Sequence, residues 1–303
     1  MSENSKDAWG EFWARQQAGS GGGCLPDGWR GIDAVQRRAW QTFAETLPRD
    51  GTVLDLATGD GRVMRWMREV RPDLRCIGVD LAPALPPAPE GTEVHPGVGM
   101  EDLPFEAAAF DAVVSQFGFE YGDPAKVTAE IARVLKPEGV AALMTHRSDG
   151  PILAHNKARR MHIGWAIERK DVFGLARRSL SDRAANTAAV AAQVARIVEE
   201  GAHRFGPQSA AWEIPEAVRR TLLAPMHVPA AQVESTLAQI EHQAANEMGR
   251  IASLEAACAT AADDDALAAA FAAAALNQTA GEPLSDDHYP SPFADFRTYS
   301  LTR

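Results

Sequence analysis

The groups in this chain best placed to do chemistry stand at the ends of apolar runs. In Val53-Leu-Asp-Leu-Ala-Thr-Gly-Asp-Gly-Arg-Val63 an apolar segment enters a turn at Gly59 and Gly61, where the backbone can bend sharply and approach a ligand. Asp55 lies inside that run, and Cys76-Ile-Gly-Val-Asp80 repeats the pattern one βα unit later, again ending in an acid. A carboxylate so placed can accept both hydroxyls of a ribose. Further on, Gln116-Phe-Gly-Phe-Glu-Tyr121 follows another apolar run, and His146 closes the run Val140 to Thr145. Histidine titrates near neutrality, which makes His146 the first candidate for a general base and Glu120 and Tyr121 the second. The blander reading of His146 is a hydrogen-bonded residue that ends a strand or only orients a substrate. These residues meet only if parallel buried strands bring their carboxyl ends to one edge of a sheet.

The glycine spacing separates two cofactor classes. A nicotinamide or flavin fingerprint requires a third small residue, and Met64 stands in its place, which disfavours an oxidoreductase. The D-x-A-x-G-x-G arrangement instead resembles motif I of the class I S-adenosylmethionine-dependent methyltransferases, with Ala57 where that family often has glycine. Further segments follow in the family's order. They are Cys76 to Asp80, then Gly99-Met-Glu-Asp-Leu-Pro-Phe105 with the β-prone run Phe110 to Gln116, then Ala129 to Val140, where Lys-Pro-Glu-Gly ends a helix before the strand Val140 to Thr145. The resemblance runs from Thr52 to Arg147 and is nearest to small-molecule members acting on quinones and related natural products.

The resemblance implies S-adenosyl-L-methionine as cofactor and a seven-stranded-type α/β core. It implies that Asp55, Ala57, Thr58, Gly59, Gly61, Asp80 and Leu81 bind the cofactor, the glycine turn cradling its methionine part and Asp80 accepting the ribose hydroxyls, and that Met100, Glu101 and Asp102 flank the adenine. Gln116 and Phe117 would complete the cofactor wall after the fourth strand. It also implies direct displacement of the methyl group, in which the protein aligns the reactants and excludes water; a base helps only when the acceptor is a hydroxyl, an acidic carbon or a thiol. Ser115-Gln-Phe-Gly-Phe119 lacks the Asn/Asp-Pro-Pro-aromatic motif of enzymes that methylate adenine or glutamine amides.

The composition narrows the partners. A formal charge of -11 would repel a phosphate backbone, so a small molecule is the expected substrate and nucleic acid is not. Arg159-Arg160 and Arg177-Arg178 read as solvated helix faces. Cys24, Cys76 and Cys258 lie far apart without zinc-type spacing, which suggests free thiols, no metal and a reducing cytoplasm. Neither a signal peptide nor a membrane span is apparent, since no apolar run approaches the roughly 20 residues a bilayer requires.

The fold expected is α/β, a Rossmann-like class I methyltransferase sheet with N-terminal helices and a large helical insertion before the final strand. Residues 1–48 form the N-terminal helical segment, 49–147 the cofactor-binding core, 148–282 the helical cap or insertion, and 283–303 a strand returning to the sheet. Trp9, Trp13, Trp29 and Trp40 crowd the first segment beside Gly19-Ser-Gly-Gly-Gly23, which suits either a hinged lid or plain packing onto the sheet. The stripe Val233, Leu237, Ile240, Ala244, Met248, Ile251, Leu254, Cys258 predicts one long amphipathic helix, with core packing its main reading and a homodimer contact the other. Ala266 to Leu276 reads as an alanine-rich helix begun by the acids Asp263 to Asp265. His155 and His162 fall on one face of another helix. The function expected is methyl transfer to a small, partly apolar or aromatic acceptor; the alternative is a non-methylating binding or assembly protein acting through its helices.

Overall fold

The structure is a computed structural model that describes residues 9–13 and 29–302. The Gly19–Gly23 run and Cys24 therefore lie outside the described residues. The described residues fall into two compact units, one of residues 9–13, 29–153 and 253–302, the other of residues 154–252.

The first unit is built on a sheet of seven strands. These are β1 (Thr52–Leu56), β2 (Arg75–Asp80), β3 (Glu93–Pro96), β4 (Phe110–Gln116), β5 (Leu135–His146), β6 (Leu276–Leu284) and β7 (Ala294–Leu301). Their order across the sheet is β3-β2-β1-β4-β5-β7-β6. The first five run parallel, and β7 is antiparallel to both β5 and β6. Chain order reverses between β1 and β4, and in such sheets ligands bind outside the carboxyl ends of the strands at that point. β1 and β4 are almost wholly buried, as their Val and Leu content requires of central parallel strands.

Helices cover the sheet: α1 (Arg30–Glu45), α2 (Arg62–Val70), α3 (Pro124–Val134) and, far along the chain, α9 (Asp264–Ala273). Ile32, Trp40, Phe43 and Met64 fill the core on one face with Val53, Ala112 and Met144. Leu54, Leu56, Val113, Ile131 and Phe271 fill the other. Helix starts follow the capping residues. Asp123 accepts from the Ala125 N–H at 3.0 Å ahead of Pro124, and Asp263 accepts from the Ala266 N–H at 3.0 Å, as the acids before the alanine-rich helix predicted.

Two boundaries differ from the sequence reading. A second closing strand, β6, begins inside the stretch assigned to the insertion and runs past its end, and residues 253–284 belong to the unit that holds the sheet. Lys136-Pro-Glu-Gly139 does not end the helix, which stops at Val134. It forms a wide bulge in β5, between Leu135 paired with Phe110 and Val140 paired with Ala112.

Residues 154–252 have their own core. They comprise most of α4 (Pro151–Gly164), a π-helical segment Trp165–Arg169, α5 (Val172–Leu180), α6 (Arg183–Phe205), α7 (Ala210–Leu222) and the larger part of α8 (Ala230–Ala261). Trp165, Phe173, Val194, Val218, Val233, Leu237 and Ile251 pack there, and α8 is the long helix its stripe predicted. Arg159 is ion-paired with Glu247 and Glu213, and Arg177 with Glu234 and Glu241 at 2.9 and 2.7 Å. These arginines are thus engaged by acids of their own unit. Among the described residues no helix is long and apolar enough to cross a membrane.

Candidate active site

At the carboxyl end of β1 the chain enters a tight left-handed path. Ala57, Gly59 and Gly61 have φ of 55°, 53° and 68°. Glycine adopts this region freely, whereas Ala57 holds it under strain. The turn is tied down by Thr58, whose N–H donates to the Val79 carbonyl at 3.0 Å and whose hydroxyl donates to Asp55 Oδ2 at 2.6 Å. Asp55 is 1 % exposed. Burial pushes its carboxyl up to about 7, opposed by the Thr58 hydroxyl and reinforced by the nearby Asp80 and Asp60 charges.

Asp80 ends β2 beside this turn. Its Oδ2 accepts from the Gly59 N–H at 3.0 Å and its Oδ1 from the Ala82 N–H at 2.9 Å. Burial raises its carboxyl above the usual range against those two bonds. One N–H on each oxygen leaves lone pairs for further donors, the pattern a pair of ribose hydroxyls needs. Leu81 is exposed, and its Cδ1 lies 3.7 Å from a β-carbon built on Gly99. In the loop after β3, Glu101 Oε1 accepts from the Asp123 N–H at 2.8 Å and Met100 packs by Gly122, while Asp102 is exposed. Glu101 therefore also fixes the start of α3.

The helical turn at residues 9–13 reaches this region at several points. A β-carbon built on Gly59 would lie 2.5 Å from Cζ2 of Trp13, so the indole rests directly on the glycine backbone. A β-carbon on Gly10 would lie 3.5 Å from Cδ of Pro83, and the ring of Trp9 meets that of Tyr121 edge-on at 5.9 Å.

The carboxyl ends of β4 and β5 bring the candidate bases together. Glu120, 1 % exposed in a short 3-10 helix, accepts on Oε1 from the His146 backbone N–H at 2.9 Å and contacts His146 Nδ1 at 2.8 Å. A carboxylate has only lone pairs to offer, so Nδ1 carries the ring proton and Nε2 is left able to accept one. The other face of the arrangement is set by Phe117, held at φ 54° with its N–H on the Met144 carbonyl, whose ring stacks on His146 with centroids 4.0 Å apart. Tyr121 stands edge-on to His146 at 6.3 Å.

Gln116 turns elsewhere. Its Oε1 accepts from the Trp40 indole N–H at 2.6 Å and its Nε2 donates to Gln36 Oε1 at 3.4 Å, so its amide faces α1 rather than the glycine turn. Gln36 was not singled out from the sequence, and Trp40 only as one of the tryptophans that crowd the first segment. The available signal was a glutamine between Ile32 and Trp40 on the apolar stripe of α1. His155 and His162 share α4 but fall in the 154–252 unit, where His155 is exposed and His162 packs on Phe205 at 4.7 Å.

Sequence comparison agrees with this geometry. The family described as "Methyltransferase domain" matches residues 54–143, from β1 into β5. The core is a methyltransferase domain of the class I S-adenosylmethionine-dependent family. Demethylmenaquinone methyltransferase of Thermus thermophilus is 34% identical over 112 residues, 34% of this chain and 50% of that protein. The protein of the same name from Thermotoga maritima is 38% identical over 115 residues, 36% of this chain and 49% of its own. The chain thus spans about half the length of the curated relatives it matches. Among solved structures, the Burkholderia thailandensis 1,6-didemethyltoxoflavin-N1-methyltransferase is similar at a TM-score of 0.36 and 23% identity, covering 48% of this chain and 64% of that one. Within the methyltransferase domain fall the glycine turn, Asp80, Met100 to Asp102 and Gln116 to Tyr121; Gln36 and His146 lie outside the matched residues.

Proposed function

We propose that this protein transfers a methyl group from S-adenosylmethionine to a small, partly apolar or aromatic acceptor, with His146 taking the acceptor's proton. The observation that carries the reading is the Glu120–His146 pair at the strand ends beside the glycine turn and Asp80. The residues suit the cofactor. Asp80 keeps lone pairs free on a half-buried carboxylate, Gly59 and Gly61 let the backbone turn where a β-carbon would clash with its neighbours, and Met100, Glu101 and Asp102 lie in the loop after β3. When bound, S-adenosylmethionine supplies a methyl group already activated by its sulfonium.

The protein's own part is alignment and proton removal. Glu120 holds Nδ1–H, Phe117 fixes the ring plane by stacking, and Nε2 of His146 receives the proton that leaves the acceptor oxygen or carbon. Trp9 and Trp13 are read as the cover that excludes water during transfer. The relatives' names favour a quinone-like acceptor, the net charge of -11 disfavours nucleic acid, and buried free thiols at Cys76 and Cys258 suit a cytoplasmic setting.

The test is to incubate the full chain with methyl-labelled S-adenosylmethionine and a reduced naphthoquinone. Label should pass to the quinol, and His146→Ala should abolish most of the transfer while leaving cofactor binding. Tight cofactor binding with no transfer to quinols or phenols would reject this acceptor class.

A further inference from the structure

We propose that Gln36 is a specificity-determining residue that donates a hydrogen bond to a carbonyl oxygen of the acceptor, and that the acceptor carries this carbonyl close to an ionisable hydroxyl. The proposal rests on the methyl-transfer reading above and adds the substrate class to it.

The direction of the polar chain on α1 follows from one donor-only group. An indole N–H can only donate, so the 2.6 Å contact with Trp40 makes the near atom of Gln116 its oxygen. The Gln116 nitrogen then points at Gln36, and the 3.4 Å contact there makes the near atom of Gln36 its oxygen. Gln36 Nε2 is what remains. It sits on a side chain that is 0 % exposed and has no hydrogen-bond partner among the described residues. A buried amide nitrogen left so is a costly arrangement unless a ligand or water completes it.

A second orphan, with the opposite sense, lies in the turn that follows Gln116. Glu120 Oε2 is buried and also lacks a partner among the described residues, while Oε1 is occupied by His146. Gln116 ends β4 and Glu120 follows in the next turn, with Phe117 between them stacked on His146. Ile32, one helical turn before Gln36, belongs with Met144, Ile152 and Phe293 to the apolar core on the α1 face of the sheet. A donor at Gln36 and the acceptors of the Glu120–His146 pair are complementary to one kind of molecule, an apolar ring or chain bearing a carbonyl near an acidic hydroxyl. Hydroxyquinones and enolised dicarbonyls have that form.

The test uses the full chain saturated with S-adenosylhomocysteine and titrated with hydroxynaphthoquinone and with naphthol, which lacks the carbonyl. The wild type should bind hydroxynaphthoquinone. Gln36→Leu should weaken that binding about tenfold, the worth of one enclosed hydrogen bond, and leave naphthol and S-adenosylhomocysteine affinities unchanged. Gln36→Glu should weaken it more, because an acceptor then faces the carbonyl. It keeps the oxygen that Gln116 uses, so it also reports if Gln36→Leu folds poorly. Equal loss for both probes, unchanged affinity in both variants, or wild type that binds S-adenosylhomocysteine but not hydroxynaphthoquinone would overturn the proposal and leave methyl transfer standing. Failure of the wild type to bind S-adenosylhomocysteine would remove both.

Discussion

Glu120 grips His146 at two points, its Oε1 accepting the backbone N–H at 2.9 Å and the ring Nδ1–H at 2.8 Å. One carboxylate therefore fixes both where β5 ends and which ring nitrogen is free. Residues that orient a base act on turnover more than on binding. Glu120→Gln should lower kcat by on the order of a hundredfold, with S-adenosylhomocysteine affinity within about threefold of wild type. Steady-state kinetics with calorimetry will check this, and an unchanged kcat would remove the pair from the chemistry.

Ala57 carries a left-handed φ of 55° in the cofactor turn. That conformation costs an L-residue about 1–2 kcal/mol, partly offset by glycine's greater freedom in the unfolded chain. Ala57→Gly should therefore raise stability by about 0.5–1 kcal/mol, read as a higher denaturation midpoint. A lower midpoint would mean that the methyl group of Ala57 contributes more by packing than the strain removes.

The raised carboxyl of Asp55 predicts a pH dependence. Its ordinary value is 3.8 and its folded value about 7, so between these the folded state holds a proton that the unfolded state has lost. Stability then falls as pH rises through that window, by at most about 1.4 kcal/mol per pH unit from this group, and the burial-raised Asp80 acts in the same sense. Asp55→Asn should flatten the slope of the denaturation midpoint against pH. An identical slope in the variant would show that Asp55 titrates normally.

Trp13 lies on Gly59, where the family resemblance puts the methionine part of the cofactor. If the turn at residues 9–13 is a cover, Trp13→Ala should speed both association and dissociation of S-adenosylhomocysteine, on the order of tenfold in stopped-flow fluorescence. Unchanged rates would make the turn a fixed wall.

Much of the cofactor end was legible because it is local in sequence. The apolar run, the glycine turn and the acid at the end of β2 are each read within a few residues, and the structure brings Gly59 and Asp80 together as that pattern implies. β6 was not legible: only its end residues, Leu276 and Leu284, are buried, so this edge strand shows no apolar alternation, and it includes Gly281 and Pro283. The Glu120–His146 pair was named residue by residue but not as a pair, because parallel pairing of β4 with β5 creates the contact. The same holds for Gln36 and Gln116, which lie on a helix and a strand far apart in the chain.

The central claim is that the ends of β1 and β2 hold S-adenosylmethionine. Calorimetric titration of the full chain with S-adenosylhomocysteine tests it most directly, comparing wild type with Asp80→Ala. The account predicts saturable binding to one site per chain, weakened at least about thirtyfold in Asp80→Ala by loss of the ribose contacts. Folded wild type that takes up no S-adenosylhomocysteine, or an Asp80→Ala variant that binds it equally well, would contradict the account.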